Sequence, residues 1–480
     1  MKKEKRIYIL GGGPAGMAAA MELSKQDIKS EIIEKSSKIG GLSKTLEFKE
    51  GEDIFRTDIG PHRFFSKNQY LYDFIEDLLA EKWITVNRQT RQLIAGNFYD
   101  YPIKAWQALK NIGLLNSILI VLSYIKAVIV YKVFKKKIVS FDDYIVSNFG
   151  RKLGEFNMLN YTEKIWGINC RKIHPDWAKQ RIKGLNLLSA LREAIFNKNK
   201  KNSPKTLIDQ FYYPQFGTGL IYETIAKEIK NRGSVISTNS EPSRIIIKNN
   251  NISEIEIKTK EGKRIVYPDK VISSIPITSF IKKLSPSPPS EVFQAAANLK
   301  WRSQVYLFIT LNKKRVTDDN WIYFPDKEIP FARIAEMKNF SQDMSPADKT
   351  SLFVEFFVTD QDEIWKKEKR EIMDLAMEHF RKLNLFSESE IRHFYVFKKK
   401  YVYPVYDLNY HRNLEIIKNY LDKIENLIYI GRPGRFKYTN QDHSLEMGIL
   451  AALSIIENKK QNFDDIGEEN EYFESGYVKK

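Results

Sequence analysis

The stretch Ile7-Tyr8-Ile9-Leu10-Gly11-Gly12-Gly13-Pro14-Ala15-Gly16 joins a short apolar run to a glycine cluster, and a helix-forming segment follows at 17–23. This order predicts a buried strand, a tight turn and a helix. Gly11, Gly13 and Gly16 satisfy the pattern G-x-G-x-x-G. The first glycine allows the turn, the second lets the backbone approach a pyrophosphate, and the third lets helix and strand pack closely. The helix N-terminus would then face the anion.

A carboxylate ends the next predicted strand, at 31–34. Glu34 lies at about the 20-residue spacing expected for an acid that hydrogen-bonds a ribose hydroxyl of a dinucleotide. The alternative is a glycine-rich turn that binds no ligand. Because the strand, the helix and the acid follow the glycine pattern in the expected order and at the expected spacing, we predict a dinucleotide-binding βαβ unit with Pro14 and Ala15 in its turn.

The composition is that of a globular protein with several domains. The chain has 480 residues, 42% of them hydrophobic and 13% aromatic, and this length predicts about two to four domains. The single cysteine, Cys170, excludes an internal disulfide and a cysteine-rich metal site, so we expect no metal centre and a cytoplasmic protein. The N-terminal residues do not match the pattern of a signal peptide.

The formal net charge of +17 indicates an anionic partner. The candidates are nucleic acid, an anionic membrane surface and a phosphorylated small molecule. Nucleic acid is least favoured, because the sequence has no zinc finger, RNA-binding aromatic motif or basic zipper and its lysine runs are scattered. Such runs are also typical of solvated protein surfaces. The sequence leaves the oligomeric state open.

Three separated stretches look like pieces of one α/β domain. They are the N-terminal βαβ unit, a β-meander at 244–268, and a last strand at 427–430 with a helix from about 444 to 457. Residues 104–200 are mostly helical in pattern, and long strands are predicted at 301–311 and 351–358. We therefore predict an α/β fold with a discontinuous Rossmann-type dinucleotide domain (1–80, 218–285 and 426–462), a helical lobe (104–200), a mostly antiparallel β-sheet substrate domain (81–103, 201–217 and 286–425) and an acidic flexible tail (463–480).

The residues after Glu34 favour FAD over NAD. Lys35 opens a stretch that reaches Gly40, Gly41 and Leu42, and this stretch resembles the second glycine pair of flavoproteins in the amine oxidase superfamily. Glycines there would let the loop lie against the ribityl–pyrophosphate arm, which side chains would obstruct. An ordinary Gly-Gly turn is the alternative. The resemblance implies FAD as the cofactor and makes Lys35, Gly41 and Leu42 candidate contacts.

Further segments resemble the UDP-galactopyranose mutases and their relatives, in order, from about residue 7 to residue 453. They are 58–64, 99–102, 161–167, 330–336, 403–405 and 431–442. The first of them, 58–64, is similar to the segment that passes the flavin ring. The resemblance implies further flavin contacts at Gly60, Pro61, His62, Gly431, Arg432 and Asp442. His62 would border the flavin. Asp442, which we expect just before the last helix, would lie near its pyrimidine edge.

In those enzymes the reduced flavin acts without net redox change: its N5 atom attacks the sugar anomeric carbon, UDP leaves, and the ring opens and recloses at another size. The resemblance implies such an enzyme in cell-surface glycan (polysaccharide) biosynthesis. The reaction needs cations at the diphosphate and aromatic groups against uridine and sugar. By resemblance, Arg333 would bind the diphosphate with Tyr403 and Tyr438, Trp166 would lie near the sugar, and Arg181 would be the second arginine.

Two other functions stay open. One is net oxidation, as in protoporphyrinogen oxidase-like or amine oxidase-like enzymes, where FAD accepts a hydride from the substrate. Arg333, Tyr403 and Tyr438 favour the mutase, because a tetrapyrrole or an amine has no diphosphate for them to bind. The other is a catalytically idle flavin-binding partner. For each residue an ordinary structural role, as a strand arginine or a core aromatic, is the alternative.

An apolar stretch at 114–131 is nearly long enough to span a bilayer, for which about 20 residues are needed. The favoured interpretation is a buried helix of the helical lobe. Lys126 inside the stretch and the lysines at 135–137 indicate an alternative. It is peripheral association with an anionic membrane, at its inner face.

Overall fold

A computed structural model describes residues 5–66, 68–101, 111, 113–178 and 210–467. Arg181, the predicted helical lobe beyond residue 178 and the acidic tail beyond residue 467 lie outside the described residues.

Strands and helices alternate along most of the described chain. The strands are β1 Ile7–Leu10, β2 Ser30–Ile33, β3 Thr45–Glu50, β4 Asp53–Asp58, β5 Trp83–Asn87, β6 Thr90–Ile94, β7 Asn97–Asp100, β8 Gln210–Pro214, β9 Val235–Ser237, β10 Glu241–Lys248, β11 Asn251–Lys258, β12 Lys263–Val266, β13 Lys270–Ser273, β14 Leu284–Ser285, β15 Trp301–Leu311, β16 Trp321–Tyr323, β17 Arg333–Glu336, β18 Thr350–Val358, β19 Ile391–Pro404 and β20 Leu427–Tyr429. The α-helices are α1 Pro14–Ser24, α2 Gln69–Leu79, α3 Leu114–Val128, α4 Phe141–Phe149, α5 Arg151–Leu153, α6 Leu159–Trp166, α7 Gly219–Asn231, α8 Ile277–Ile281, α9 Ser290–Asn298, α10 Glu363–Lys366, α11 Lys369–Leu383, α12 Tyr410–Leu421, α13 Gly431–Arg435 and α14 Gln441–Ile456.

A parallel sheet gathers strands from distant parts of the chain. Its order is β20-β13-β1-β2-β9, and every pair in it is parallel. Ile9, Ile32 and Ile272 are buried in this sheet, as expected for parallel strands covered on both faces. Helices α1 and α14 pack closely, because Gly448 has no side chain and a Cβ there would overlap the Ala15 carbonyl oxygen. The predicted discontinuous Rossmann-type fold is confirmed.

The largest sheet has seven strands in the order β19-β15-β18-β17-β16-β6-β7. Its pairs are antiparallel except β16 with β6. Along β15, Val305 and Leu307 belong to the core under α11, whereas Tyr306 and Phe308 belong to the core on the opposite face. Burial on both faces explains why this strand has an almost continuous apolar sequence. The mostly antiparallel sheet expected for the substrate domain is therefore present.

A smaller sheet, β12-β11-β10-β14, contains the predicted β-meander.

Helices α3, α4, α5 and α6 form the described part of the helical lobe. Their shared core contains Ala127, Phe141 and Leu159. The residue boundaries that we assign to the domains stay predictions.

The expectation that residues 114–131 form a buried helix is wrong. Tyr124 and Ala127 are buried, but Leu115, Leu122 and Ile125 on α3 are exposed. Only one side of the helix packs against the protein. The other side is also apolar, and for this reason the sequence predicted that the whole helix is buried.

Two expectations near the C-terminus need correction. Helix α14 begins at Gln441, about three residues earlier than predicted, because Asn440 caps it in a reciprocal capping box with His443. Asp442 therefore lies in the first turn of the helix and not before it. The predicted flexible tail starts at 463, yet Asp464 forms an ion pair with Lys418 at 2.6 Å, so its first residues are anchored.

Candidate functional site

The glycine turn forms a cleft lined by backbone at the start of α1. Gly11 adopts a φ of +102°, which favours glycine. No side chain caps the N-terminus of α1 at Gly13, so the first N–H groups of the helix have no side-chain acceptor there. Gly41 faces this turn: a Cβ on Gly41 would lie 3.1 Å from the Gly13 Cα. The two glycine segments are therefore in direct contact, and a side chain on Gly41 would push them apart.

Glu34 is held over this turn by backbone donors. The Gly12 N–H donates to its Oε2 at 2.8 Å, and the Ser36 N–H donates to its Oε1 at 2.7 Å. Each carboxylate oxygen keeps a further lone pair for a ribose hydroxyl. The Lys35 ammonium lies 3.0 Å from Glu241, so the structure gives this predicted cofactor contact another partner.

We expect Glu34→Ala to weaken FAD binding by on the order of 1.5–3 kcal/mol, because charge-assisted hydrogen bonds to the ribose are lost. The measurement is fluorescence titration of the apoprotein with FAD. Glu31→Ala is the matched control, since Glu31 lies on β2, just before Glu34, and binds Ser237 and Arg264. Equal FAD affinity in the Glu34 variant and the wild type would assign Glu34 a purely structural role.

The segment at 60–62 connects the flavin cleft to the large sheet. The His62 Nε2–H donates to the Leu42 carbonyl at 3.0 Å and to the Ile59 carbonyl at 3.1 Å, which fixes the neutral tautomer with hydrogen on Nε2. Burial, together with the positive charges of Arg432 and Arg333, lowers the pKa of His62 to about 4. His62 is therefore neutral near pH 7. Gly60 has a φ of +93°.

Arg333 lies next to Gly60 in a buried ion pair. Its Nε and Nη2 both donate to the Glu355 carboxylate, the second at 2.9 Å. Glu355 is 1% exposed and also accepts from Gln304 at 3.2 Å. A Cβ on Gly60 would lie 3.3 Å from Glu355 Oε1, and the positive φ of Gly60 favours glycine at this contact. Glu355 was not among the residues predicted from the sequence, although it is the single acid in the apolar strand β18.

Four aromatic side chains, Tyr403, Tyr438, Trp166 and Trp177, pack against one another, and we call them the aromatic wall. Tyr403 and Tyr438 are nearly parallel, with centroids 5.6 Å apart and an interplanar angle of 17°. Trp166 lies edge-on to both of them, at 6.1 and 6.4 Å, and to Trp177 at 4.6 Å. Burial raises the pKa of Tyr403, so its hydroxyl stays protonated. This wall suits a flat or partly apolar substrate group.

Arg432 holds the two tyrosines in place. Its guanidinium carbon lies 5.0 Å from the Tyr403 ring centroid and 5.1 Å from that of Tyr438. Its Nε donates to the Thr439 carbonyl at 2.8 Å and its Nη1 to the Val402 carbonyl at 3.3 Å. Gly431, with a φ of +74°, starts α13 beside Ala15 of the glycine turn. This loop therefore contacts both the cofactor cleft and the aromatic wall.

Trp166 is positioned from the sheet side. The carbonyl of Ile165 accepts from Arg302 Nε at 2.7 Å, and Gly167 leaves room for that guanidinium. Lys164 donates to the carbonyls of Phe324 and Asp326, and burial lowers its pKa to about 7. The indole N–H of Trp166 is buried, and no described residue accepts its hydrogen.

The structure thus brings most of the predicted site residues together. Arg333 lies close enough to His62 and Tyr403 to affect their pKa values, and Trp166 lies edge-on to Tyr403 and Tyr438. Asp442 is buried in the first turn of α14, where its negative charge raises the pKa of Tyr72 in addition to the larger effect of burial. Arg181 lies outside the described residues. Glu355 and Arg302 are additions that came only from the structure.

A Rossmann-type cleft for a dinucleotide beside an aromatic, arginine-containing site defines a flavoenzyme. The chain belongs to the family described as flavin containing amine oxidoreductase, whose profile matches residues 14–410. Its cofactor is accordingly FAD, and the protein is an FAD-dependent enzyme. Because the family is one of enzymes, the alternative of a catalytically idle partner is set aside.

Solved structures of low sequence identity share the fold. A reduced UDP-galactopyranose mutase has a TM-score of 0.82 at 19% identity, over 97% of this chain and 96% of that one. A putative protoporphyrinogen oxidase from Exiguobacterium sp. 255-15 has a TM-score of 0.71 at 14% identity, over 95% of this chain and 100% of that one. The sequence is also similar to the flavin-dependent L-tryptophan oxidase RebO of Lentzea aerocolonigenes, 35% identical over 74 residues. That match covers only 15% of this chain and 16% of the oxidase.

The residues present fit FAD. Gly41 packs so closely on Gly13 that a Cβ on Gly41 would lie 3.1 Å from the Gly13 Cα, and the Gly12 N–H holds Glu34 beside this turn. FAD bound there supplies a flavin ring that accepts or donates hydride or electrons. The glycine turn, Glu34 and the segment at 60–62 are the residues that would hold it.

Proposed function

We propose that this enzyme contracts the ring of a nucleotide sugar, as a UDP-galactopyranose mutase-like isomerase in cell-surface glycan biosynthesis. The observation that carries the proposal is the arrangement of Arg333, Tyr403, Tyr438 and Trp166 in one aromatic, cationic site next to the flavin cleft. The similarity in fold to a UDP-galactopyranose mutase over nearly the whole chain supports it.

Each residue has a stated part in the proposed reaction. Arg333 binds the departing diphosphate with the N–H groups that do not face Glu355, and the hydroxyls of Tyr403 and Tyr438 donate to its oxygens. Trp166 packs against the sugar and donates its indole N–H to a sugar oxygen. Neutral His62 holds the segment that borders the flavin, through the carbonyl of Leu42.

Net oxidation is the second candidate, and one observation favours it. Glu355 compensates the charge of Arg333, so the pair as a whole offers a diphosphate less attraction than a lone arginine would. The parallel tyrosines then form a largely neutral wall, which suits an amine or another apolar substrate. The similarity to an L-tryptophan oxidase, although short, points in the same direction.

A turnover experiment under two conditions distinguishes the candidates. Under anaerobic conditions, the chemically reduced enzyme should convert UDP-galactopyranose into its ring-contracted isomer without consuming reductant, as followed by chromatography. Oxidised enzyme in air, given amines and amino acids, should consume no oxygen. Oxygen uptake in proportion to product, with no conversion of any nucleotide sugar by the reduced enzyme, would replace the mutase by the oxidase.

A further inference from the structure

A stripe of apolar side chains runs along α3 and the π-helical turn Ile129–Val133 that continues it. Leu115, Ile118, Leu122, Ile125, Ile129 and Val133 recur three or four residues apart, and all of them are exposed, Leu115 to 74% and Val133 to 66%. This spacing puts them on one side of the helix. An exposed apolar stripe of this length marks a contact surface.

The opposite side of α3 is packed against the protein. Tyr124 and Ala127 are buried, and a Cβ on Gly150 would lie 2.8 Å from the Tyr124 backbone nitrogen. The Ser123 hydroxyl accepts the Lys152 N–H at 3.1 Å. Because successive helical residues turn by about 100°, Tyr124 and Ala127 face away from the stripe. The helix is therefore seated firmly, and the stripe is the side that points outward.

The apolar surface continues into the turn after the helix. Phe134 is 76% exposed, and Ile138 and Val139 are also exposed. We call α3 together with residues 129–139 the apolar–basic surface.

Positive charge surrounds this surface. Between residues 114 and 141 the sequence has five lysines, at 126, 132 and 135–137, and no acidic residue. Lys136 forms an ion pair with Asp143 at 2.8 Å. Within the described part of the chain, the other four lysines make no ion pair. Their charge is therefore available to an anionic partner.

We propose that the apolar–basic surface docks the enzyme on an anionic lipid bilayer, with α3 in the plane of the headgroups. The apolar stripe enters the boundary between headgroups and acyl chains, while the lysines contact anionic headgroups. A protein partner would need an apolar groove and an acidic rim of matching shape. An anionic bilayer supplies both features without shape complementarity, and for this reason we commit to lipid.

The geometry favours a helix that lies on the bilayer over one that crosses it. Residues Leu115–Val133 are long and apolar enough to cross by length and composition, at about 28 Å for 19 residues. Crossing would require lipid on all sides, whereas Tyr124 and Ala127 are covered by protein.

The docked lobe is the lobe that supplies the active-site tryptophan. Ala127 on α3, Phe141 on α4 and Trp166 on α6 belong to one hydrophobic core. Membrane docking would therefore act on the same lobe that carries Trp166. This inference does not depend on which reaction the enzyme performs.

Flotation of the full-length protein with vesicles tests the proposal. The vesicles contain phosphatidylcholine with or without phosphatidylglycerol, at about 50 mM and about 500 mM salt. We expect binding only to vesicles with phosphatidylglycerol, and weaker binding at high salt. Replacing Lys132, Lys135 and Lys137 by serine should lower the partition coefficient by about fivefold for each lysine, on the order of a hundredfold in all. Leu122→Asp should abolish binding.

Matched controls lie elsewhere on the surface. Ile265→Asp changes an equally exposed apolar residue on β12, and serine at Lys258, Lys260 and Lys263 removes three exposed lysines. Both controls should bind vesicles like the wild type, and circular dichroism should show all variants folded. Absence of flotation at either salt concentration overturns the proposal. So does a wild-type dimer that Leu122→Asp dissociates without any effect of lipid, because a second copy would then cover the stripe.

Discussion

Arg333→Met is expected to lower turnover of a nucleotide sugar by on the order of a hundredfold or more, because a bidentate partner of the diphosphate contributes about 3 kcal/mol in a partly buried site. The same substitution leaves Glu355, which is 1% exposed, without its cation. A buried carboxylate that loses its partner costs about 3–5 kcal/mol of unfolding free energy. The single variant therefore combines a catalytic effect with a stability effect.

A double variant separates the two effects. Arg333→Met with Glu355→Leu replaces the whole pair by apolar groups, which is typically close to neutral for stability. Urea unfolding of the double variant should show that most of the free energy of unfolding lost in Arg333→Met is recovered. Turnover should stay low if Arg333 contacts the substrate. Arg333→Lys should restore activity only in part, because an ammonium cannot form the bidentate geometry.

A second arginine–carboxylate pair in the large sheet provides a matched control. Arg91 binds Asp319 through Nε at 2.9 Å and Nη2 at 2.6 Å, and Asp319 is fully buried. Arg91→Met should lose stability in the same way while keeping kcat. If the Arg333 and Arg91 variants lost stability alike and both kept full turnover, Arg333 would be only a structural residue and the mutase proposal would lose its main support.

Gly16→Val is expected to reduce FAD affinity by about a hundredfold, corresponding to about 3 kcal/mol from overpacking. A Cβ at Gly16 would overlap the Gly11 carbonyl oxygen, so α1 would have to move away from the turn. The N–H groups at its N-terminus would no longer point at the pyrophosphate. Titration of the apoprotein with FAD and the flavin absorbance of the purified protein measure the effect.

Gly51→Ala serves as the control for this experiment. A Cβ at Gly51 meets nothing within 4 Å, although its φ of +65° is unfavourable for alanine. We expect a loss of roughly 1–2 kcal/mol of stability there and unchanged FAD affinity. A Gly16→Val protein that kept wild-type FAD affinity would contradict the assignment of the glycine turn to the cofactor.

The parts of this protein that local sequence specifies were predicted well. The glycine turn needs particular backbone angles and close approaches that only glycine allows, so Gly11, Gly13 and Gly16 reveal it without any knowledge of contacts. The strands at 301–311 and 351–358 were found nearly at their observed bounds, because burial on both faces produces long apolar runs. The family followed from the order of such local motifs.

Contacts between distant residues could be decided only by the tertiary structure. The pairing of Arg333 with Glu355 depends on the register of β17 against β18, in which the two residues are directly opposite. The stacking of Tyr403 on Tyr438 depends on a loop that Arg432 ties to the end of β19. The start of α14 at Gln441 is set by a capping box, whereas the pattern of apolar residues predicted a later start.

The helix at 114–131 shows the same limit most clearly. Its sequence determined that it is apolar, helical and flanked by lysines. Whether such a helix is buried depends on how many of its sides other elements cover, and α4 and α5 cover only the side of Tyr124 and Ala127. Hydrophobicity is a property of each side chain, whereas burial is a property of the whole packed chain. The sequence therefore determined the apolar surface, and only the packing of the helical lobe determined that it faces outward.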